Sequence, residues 1–282
     1  MTSVLQQHRV RRRQIIVQRF FLRFLMFFTM LACIGIIIFS LPQLSFRKVT
    51  VSGNETVPAE EIIHAAEEML NEKSLYIFSR RNMFLFRSDM LEGRILSAFP
   101  VFSALEVSRS LRDGISVRVQ ERSLWGVYCR ILTVEQTIPP APPCFYIADD
   151  GVIFAQAPIL LGNAVFRVTD MRKGIPEPRI GERAVTEEFI NRVQEIAAWF
   201  SEQYQGTLRE VIRARSYESD IELITSEGWY MRLDEDTCIP CALEDLPVVF
   251  GKQIKDRTGL EYVDIRFKGK VFYKNRAYSS NL

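Results

Sequence analysis

The stretch FLMFFTMLACIGIIIFSL, residues 24–41, carries eighteen residues without a charge and follows Arg23 directly. At ~1.5 Å per helical residue it reaches roughly 27 Å, close to the ~30 Å of hydrocarbon in a bilayer, and Phe20, Phe21 and Leu22 lengthen it. Backbone exposed to lipid finds no water to bond, so such a segment crosses as a helix that satisfies its own N–H and C=O groups. Arg19 and Arg23 can extend their charges toward headgroups while their stems stay in apolar surroundings. Six arginines, Arg9, Arg11, Arg12, Arg13, Arg19 and Arg23, precede or adjoin the span, and the first acidic residue of the chain is Glu55. That bias predicts a cytoplasmic N-terminus and export of everything that follows. A cleaved signal peptide would have a shorter apolar region with small residues at a cleavage site. Here Ser40-Leu41-Pro42-Gln43-Leu44 follows instead. The expectation is therefore an uncleaved anchor, with a basic cytoplasmic tail at 1–19 and a transmembrane helix at 20–41.

The formal charge of +2 belongs to this tail: beyond Leu41, 30 of the 36 basic residues stand against all 34 acidic ones. A nucleic-acid-binding body would show a strong positive excess, so nucleic acid is not expected as a partner. With 48% apolar and 25% charged residues over 282 positions, the chain has the composition of a folded protein.

Outward from the span, residues 45–122 read as a small α/β unit. Phe46–Val51 is a short alternating strand ending in the turn Ser52-Gly53-Asn54. Val57-Pro58 opens a helix, with Glu60 and Glu61 at its positive end and Ile62, Ile63, Ala66, Met69 and Leu70 as its buried stripe. Around Leu75, Tyr76, Ile77 and Phe78 the pattern is irregular, with partial burial expected. Ser88 caps a second helix whose Leu91, Ile95, Ala98 and Phe99 recur at helical spacing before Pro100. Two strands follow, at about 104–109 and 115–120, joined by Arg112-Asp113-Gly114. The order is β-α-α-β-β.

Residues 123–273 read as a larger α+β domain around an antiparallel sheet with flanking helices. Strands are expected at 124–132, 144–148, 152–154, about 164–168, 208–214, 221–225, 229–233, 262–267 and 271–273. The proline-rich run 138–143 cannot be central sheet, and Asp149-Asp150-Gly151 is a hairpin turn. Thr186 caps a helix that buries Phe189, Val193, Ile196, Ala197 and Phe200, and 243–255 has helical character. The end, 274–282, reads as a flexible tail.

The body is poor in the residues of catalysis. Of two histidines, His8 lies in the tail and His64 on the surface of the first helix, so no His-centred acid–base pair or metal site follows from spacing. No glycine-rich phosphate loop is present either. The expected reading is a protein that is not an enzyme, with no catalytic residues, no metal and no cofactor. Cys33 lies in the span; Cys129, Cys144, Cys238 and Cys241 form an even set in the second domain. Structural disulfides or thiols, a four-cysteine zinc site and redox chemistry at Cys238-Ile-Pro-Cys241 all stay open, with Cys129–Cys144 and Cys238–Cys241 as the local pairing. A thioredoxin-like site would need a strand-to-helix turn within a parallel sheet, which the antiparallel reading does not provide. Without a catalytic site the emphasis moves to binding, and the last strand pair, 262–267 with 271–273, is the candidate because an open edge can accept another strand.

This layout resembles the bacterial cell-division family FtsQ/DivIB: a basic tail, one span, a POTRA domain and a larger β domain. The likeness is carried by Phe46-Arg-Lys-Val-Thr-Val-Ser-Gly-Asn54 with Val57-Pro-Ala-Glu-Glu-Ile62, then Phe99-Pro-Val-Phe-Ser-Ala-Leu-Glu-Val-Ser-Arg109 and Ile115-Ser-Val-Arg-Val-Gln-Glu-Arg122. It continues in Tyr146-Ile-Ala-Asp-Asp-Gly-Val-Ile-Phe154, Gly228-Trp-Tyr-Met-Arg-Leu233 and Glu261-Tyr-Val-Asp-Ile-Arg-Phe267. The resemblance implies a non-enzymatic, single-pass scaffold of the inner membrane at the division septum. Its partners would be membrane division proteins similar to FtsB and FtsL, together with septal peptidoglycan synthesis proteins. Carried onto this chain, the partner edge comprises Val263, Ile265, Phe267, Val271, Phe272 and Tyr273. The chain departs from the family in its missing prolines around 109–114 and after Arg122, and in its proline-rich segment and cysteine set. An exported thiol oxidoreductase or metal-binding protein using Cys238 and Cys241, and a POTRA-containing transport or assembly component, are the alternatives. The last should carry several such repeats or a run of barrel strands, and neither fits the remaining length.

Overall fold

The computed structural model describes residues 2–39, 41–74, 78–110, 112–131, 143–158, 165–213, 220–254 and 256–276. The irregular stretch at Leu75–Ile77, the proline-rich run up to Pro142 and the tail beyond Arg276 lie outside the described residues. The chain divides into two compact units, Met1–Ala98 with Ala104–Gln120, and Phe99–Ser103 with Glu121–Leu282.

The first unit begins with α1 (Thr2–Phe39), a continuous helix whose segment Arg19–Ile38 has a mean hydropathy of 2.4 and no buried residue. A helix this apolar and this exposed has no protein core to face, which is what a bilayer accommodates. A 3₁₀ turn at Pro42–Leu44 leads to β1 (Val49–Ser52), then α2 (Ala59–Asn71). Two short strands, β2 (Lys73–Ser74) and β3 (Phe78–Ser79), pair with each other. They are followed by α3 (Ser88–Ala98), β4 (Phe102–Ser110) and β5 (Gly114–Glu121). The sheet order is β1-β5-β4, with β1 parallel to β5. Ile62, Ala66, Met69 and Leu70 of α2, Leu91 and Ile95 of α3, and Ile115, Val117 and Val119 of β5 are buried. The period of 3.6 in the helices and of 2 in β5 therefore mark the same core. Ala98, expected on the buried stripe, is exposed at the last residue of its helix, and His64 is exposed on α2.

The second unit contains β6 (Leu124–Arg130), β7 (Cys144–Ala148), β8 (Ile153–Ala157) and β9 (Arg167–Asp170), then α4 (Glu187–Tyr204). After these come β10 (Leu208–Arg213), β11 (Ile221–Thr225), β12 (Tyr230–Leu233), α5 (Ile239–Lys252), β13 (Leu260–Asp264) and β14 (Phe272–Asn275). They build a nine-stranded sheet in the order β14-β13-β12-β11-β10-β9-β6-β7-β8. The α+β class holds, but the sheet is mixed rather than antiparallel, because β6–β9, β9–β10 and β12–β13 run parallel. Parallel neighbours need a crossover, and α4 supplies it between β9 and β10 and α5 between β12 and β13. Both helices pack on one face, against the row Tyr128, Val168, Val211, Leu223, Met231 and Val263 that the strand registers align across the sheet.

The Thr186 side chain caps α4 by accepting a hydrogen bond from the Phe189 N–H at 3.2 Å. Phe200, Trp229 and Phe250 interlock edge to face, with centroids 5.6 and 5.7 Å apart. Each such pair adds about 0.5–1.5 kcal/mol to the burial of its rings. Expected and observed bounds differ most at the end of the chain. The helix expected at 243–255 starts at Ile239, since Pro240 is tolerated in a first turn. The strand expected at 262–267 ends at Asp264, and β14 runs on to Asn275, so Lys274 and Asn275 are strand rather than tail.

Candidate functional site

The edge of the large sheet forms around β13; Val263 within it and Ile265 just past its end are 0% and 3% exposed. These two side chains were expected on the partner edge. They are committed instead to the core, because alternation turns them toward α5. The residues that follow do not stay in the strand. Arg266 donates to both carboxylate oxygens of Asp264, at 3.0 Å from Nε and 2.6 Å from Nη2, and its Nη1 reaches Asp220 at 2.9 Å. Asp220 and Asp264 are both buried, so the guanidinium compensates charges that water does not reach. The Asp264 hydrogen bonds raise the Arg266 pKa above its ordinary value, against the effect of burial.

With the chain pinned at Arg266, Phe267 swings outward and is 51% exposed, and the turn through Gly269 (φ 70°) returns it as β14. β14 pairs with β13 in the register Val263↔Tyr273 and Asp264↔Phe272, and every residue of it is exposed. Phe272 and Tyr273 are 52% and 38% exposed, and the Phe267 and Phe272 rings meet edge to face at 5.5 Å. Val271 is half-buried against the core. β14 has one neighbour, β13, so among the described residues its other side is an open edge next to three exposed aromatic rings. Such an edge offers unpaired backbone groups for affinity and side chains for selection. The neighbouring face is stiffened by Tyr230 stacked on Tyr262 and by Arg232, which lies over both rings and pairs with buried Glu222 at 3.0 Å.

The four cysteines of the second unit are bonded in two pairs. Cys129 and Cys144 face each other across β6 and β7 with Cα atoms 4.3 Å apart, the close spacing of a non-hydrogen-bonded antiparallel pair. Cys238 immediately precedes α5 and bonds to Cys241 in its first turn. Because β12 and β13 are parallel, this pair sits at the strand-to-helix turn of a β-α-β unit, the context that an antiparallel sheet would have denied it. Both cysteines line a small cleft of about 110 Å³ together with Ile265, Phe267 and Val271, so the disulfide adjoins the turn that presents the edge. Cys33 is exposed on α1. Among the described residues no group of three or more His, Cys, Asp or Glu is arranged to hold a metal ion.

A second polar network had no sequence signal beyond scattered charges. Asp170, 0% exposed, accepts hydrogen bonds from the Tyr128 hydroxyl at 3.0 Å and Arg172 Nη2 at 2.7 Å, with Arg213 at 3.9 Å. Burial alone would raise its pKa, but the Arg172 hydrogen bonds and the two guanidinium charges outweigh that and hold the carboxyl below its usual range. Burial and the Asp170 charge push the Tyr128 phenol well above its ordinary value, so this hydroxyl stays a donor.

An exposed apolar helix of spanning length, a β-α-α-β-β unit and a mixed sheet ending in an open aromatic edge describe a single-pass membrane protein. The first folded module is assigned more closely: residues 44–122 match the POTRA domain, FtsQ-type. This match covers 79 of the 282 residues and supports the resemblance to FtsQ/DivIB, a family of cell-division proteins. A comparison with curated proteins returns no match.

Proposed function

We propose that this protein is a non-enzymatic scaffold of the bacterial division machinery that captures partner membrane proteins by adding one of their strands to β14. The observation that carries this reading is the open side of β14 beside exposed Phe267, Phe272 and Tyr273. The partners would be proteins similar to FtsB and FtsL, and through them septal peptidoglycan synthesis proteins, recruited at the septum of the cytoplasmic membrane. The units at 45–122 and 123–273 would lie outside the cytoplasm and the tail at 1–19 inside. Co-purification of the full-length protein with its division partners tests the edge. Phe267→Asp or Phe272→Asp should lower recovery at least tenfold while the unfolding temperature stays unchanged. Equal recovery from the wild-type protein and both variants would remove β14 as the docking edge.

One observation favours thiol exchange as a second reading: Cys238-Ile-Pro-Cys241 opens a helix in a parallel β-α-β unit. Replacing both cysteines with Ser distinguishes the two. Normal division with thiol exchange lost supports the redox role, and normal division with exchange unaltered leaves the pair structural.

A further inference from the structure

The first unit carries a basic groove where the chain leaves the membrane helix, and we infer that it binds the phosphate headgroups of anionic phospholipids. The inference rests on α1 spanning the bilayer. The apolar window ends at Ile38, and the chain then leaves in tight turns rather than extended: the Leu41 N–H donates to Ile38 O at 3.2 Å and the Leu44 N–H to Leu41 O at 3.1 Å. At the ~2 Å rise of a 3₁₀ turn, the passage from Leu41 to Leu44 covers on the order of 6 Å, and Leu41 is itself hydrogen-bonded to the last residue of the apolar window. At Leu44 the chain is already fixed to the folded unit, since Leu44 O accepts from the Met83 N–H at 2.9 Å and the Phe46 N–H donates to Arg81 O at 2.9 Å. A headgroup layer is roughly 5–8 Å deep on each side of the hydrocarbon. The surface beside Gln43 is therefore held at or just above headgroup height.

That surface is a groove of about 590 Å³ lined by Gln43, Arg47, Lys48, Thr50, Arg112 and Asp113, among others. A close backbone approach brings its two walls together. The Ile115 N–H donates to Lys48 O at 2.9 Å, and Gly114, at φ +91°, leaves the space in which a Cβ would lie 2.2 Å from that oxygen. The turn carrying Arg112 is thereby held against Lys48. Elsewhere in the unit Arg80, Arg81, Arg87 and Arg118 are each paired with a carboxylate. Arg47, Lys48 and Arg112 are exposed and, among the described residues, form no ion pair. The one acid of the groove, Asp113, accepts a hydrogen bond from Ser110 at 3.1 Å. Three cations against one carboxylate leave a positive excess, and two guanidinium forks with an ammonium suit the oxygens of a phosphodiester. A membrane source is favoured over dissolved phosphate because the short tether keeps the groove continuously in contact with lipid.

Full-length protein in nanodiscs provides the test. Lys48 is acylated with a neutral amine reagent and its modification rate measured by mass spectrometry, with exposed Lys252 and Lys268 as internal references. Phosphatidylcholine discs are compared with discs containing roughly one-third phosphatidylglycerol. Lys48 should react about fivefold more slowly in the anionic discs, the weight of one cation at an anionic surface. The protection should vanish in Arg47→Gln/Arg112→Gln protein and at ~1 M salt, where screening shortens to about 3 Å. Equal rates in both discs would overturn the inference, as would equal protection by inorganic phosphate in phosphatidylcholine discs. If the protein does not enter discs at all, it is the spanning reading of α1 that fails, and the inference fails with it for a distinguishable reason.

Discussion

At the scale of single residues, the second unit depends on carboxylates that are charged in places water does not reach. Asp170 sits with 0% exposure between Arg172 and Arg213. Asp170→Asn keeps the shape and removes the charge, leaving Arg172 without its counterion and Arg213 with Glu235 alone; a loss of about 3 kcal/mol is expected, read from urea unfolding of that unit. The pH dependence has a definite sign. The folded pKa of Asp170 lies below its unfolded value, so the unfolded chain binds the proton first and stability rises with pH through that window. The contribution is complete above the unfolded pKa of about 3.9 and is lost as pH falls toward the folded value. Acid unfolding of the wild-type protein should steepen below about pH 4, and Asp170→Asn should flatten that dependence. A steep acid limb in both proteins would assign it to other carboxylates. Little of this was legible in the sequence, because pairing Asp170 with Arg213 requires the parallel neighbours β9 and β10, which lie on either side of α4. Periodicity marks the face a residue takes but not the strand beside it.

At the scale of elements, the two disulfides close loops of very different length, and that difference can be measured. Cys129 and Cys144 are 15 residues apart and Cys238 and Cys241 are 3 apart. On a chain-entropy account the longer loop contributes about 3 kcal/mol and the shorter roughly half as much. Replacing Cys129 and Cys144 with Ser should therefore lower the unfolding midpoint about twice as far as replacing Cys238 and Cys241, in the same denaturant series. Equal losses would mean that native packing rather than loop closure sets the effect. Elements with a clean period were legible in advance. Ile115, Val117 and Val119 fall on the buried side of β5, and α4 runs from its Thr186 cap with Phe189, Val193, Ile196 and Phe200 buried as expected and Ala197 half-buried. The partner edge was only half legible. The alternation from Val263 through Ile265 to Phe267 suggests one continuous face, but Arg266, clamped on Asp264 and Asp220, ends the strand and sends Phe267 out to solvent. An ion pair between residues 46 positions apart leaves no periodic trace.

At the scale of the whole molecule, orientation across the bilayer decides whether any of these surfaces can meet its partner. The arginine-rich tail argues for a cytoplasmic N-terminus, while the disulfides at Cys129–Cys144 and Cys238–Cys241 are bonds that persist in an oxidising compartment. These two arguments have different physical origins, one from the translocation of charge and the other from thiol chemistry, and they point the same way. The cysteine inventory makes the question directly measurable. The four cysteines of the second unit are bonded in pairs and Cys33 lies within the apolar segment, so the wild-type protein should be nearly silent toward a membrane-impermeant maleimide. Ser3→Cys and Gln253→Cys then place one reactive thiol on each side of the apolar segment Arg19–Ile38. In spheroplasts Gln253→Cys should be labelled at once and Ser3→Cys only after the membrane is permeabilised. The reverse pattern would put the β14 edge in the cytoplasm, where it could not meet the exported part of a septal partner, and the scaffold reading would have to be abandoned even though the fold would stand.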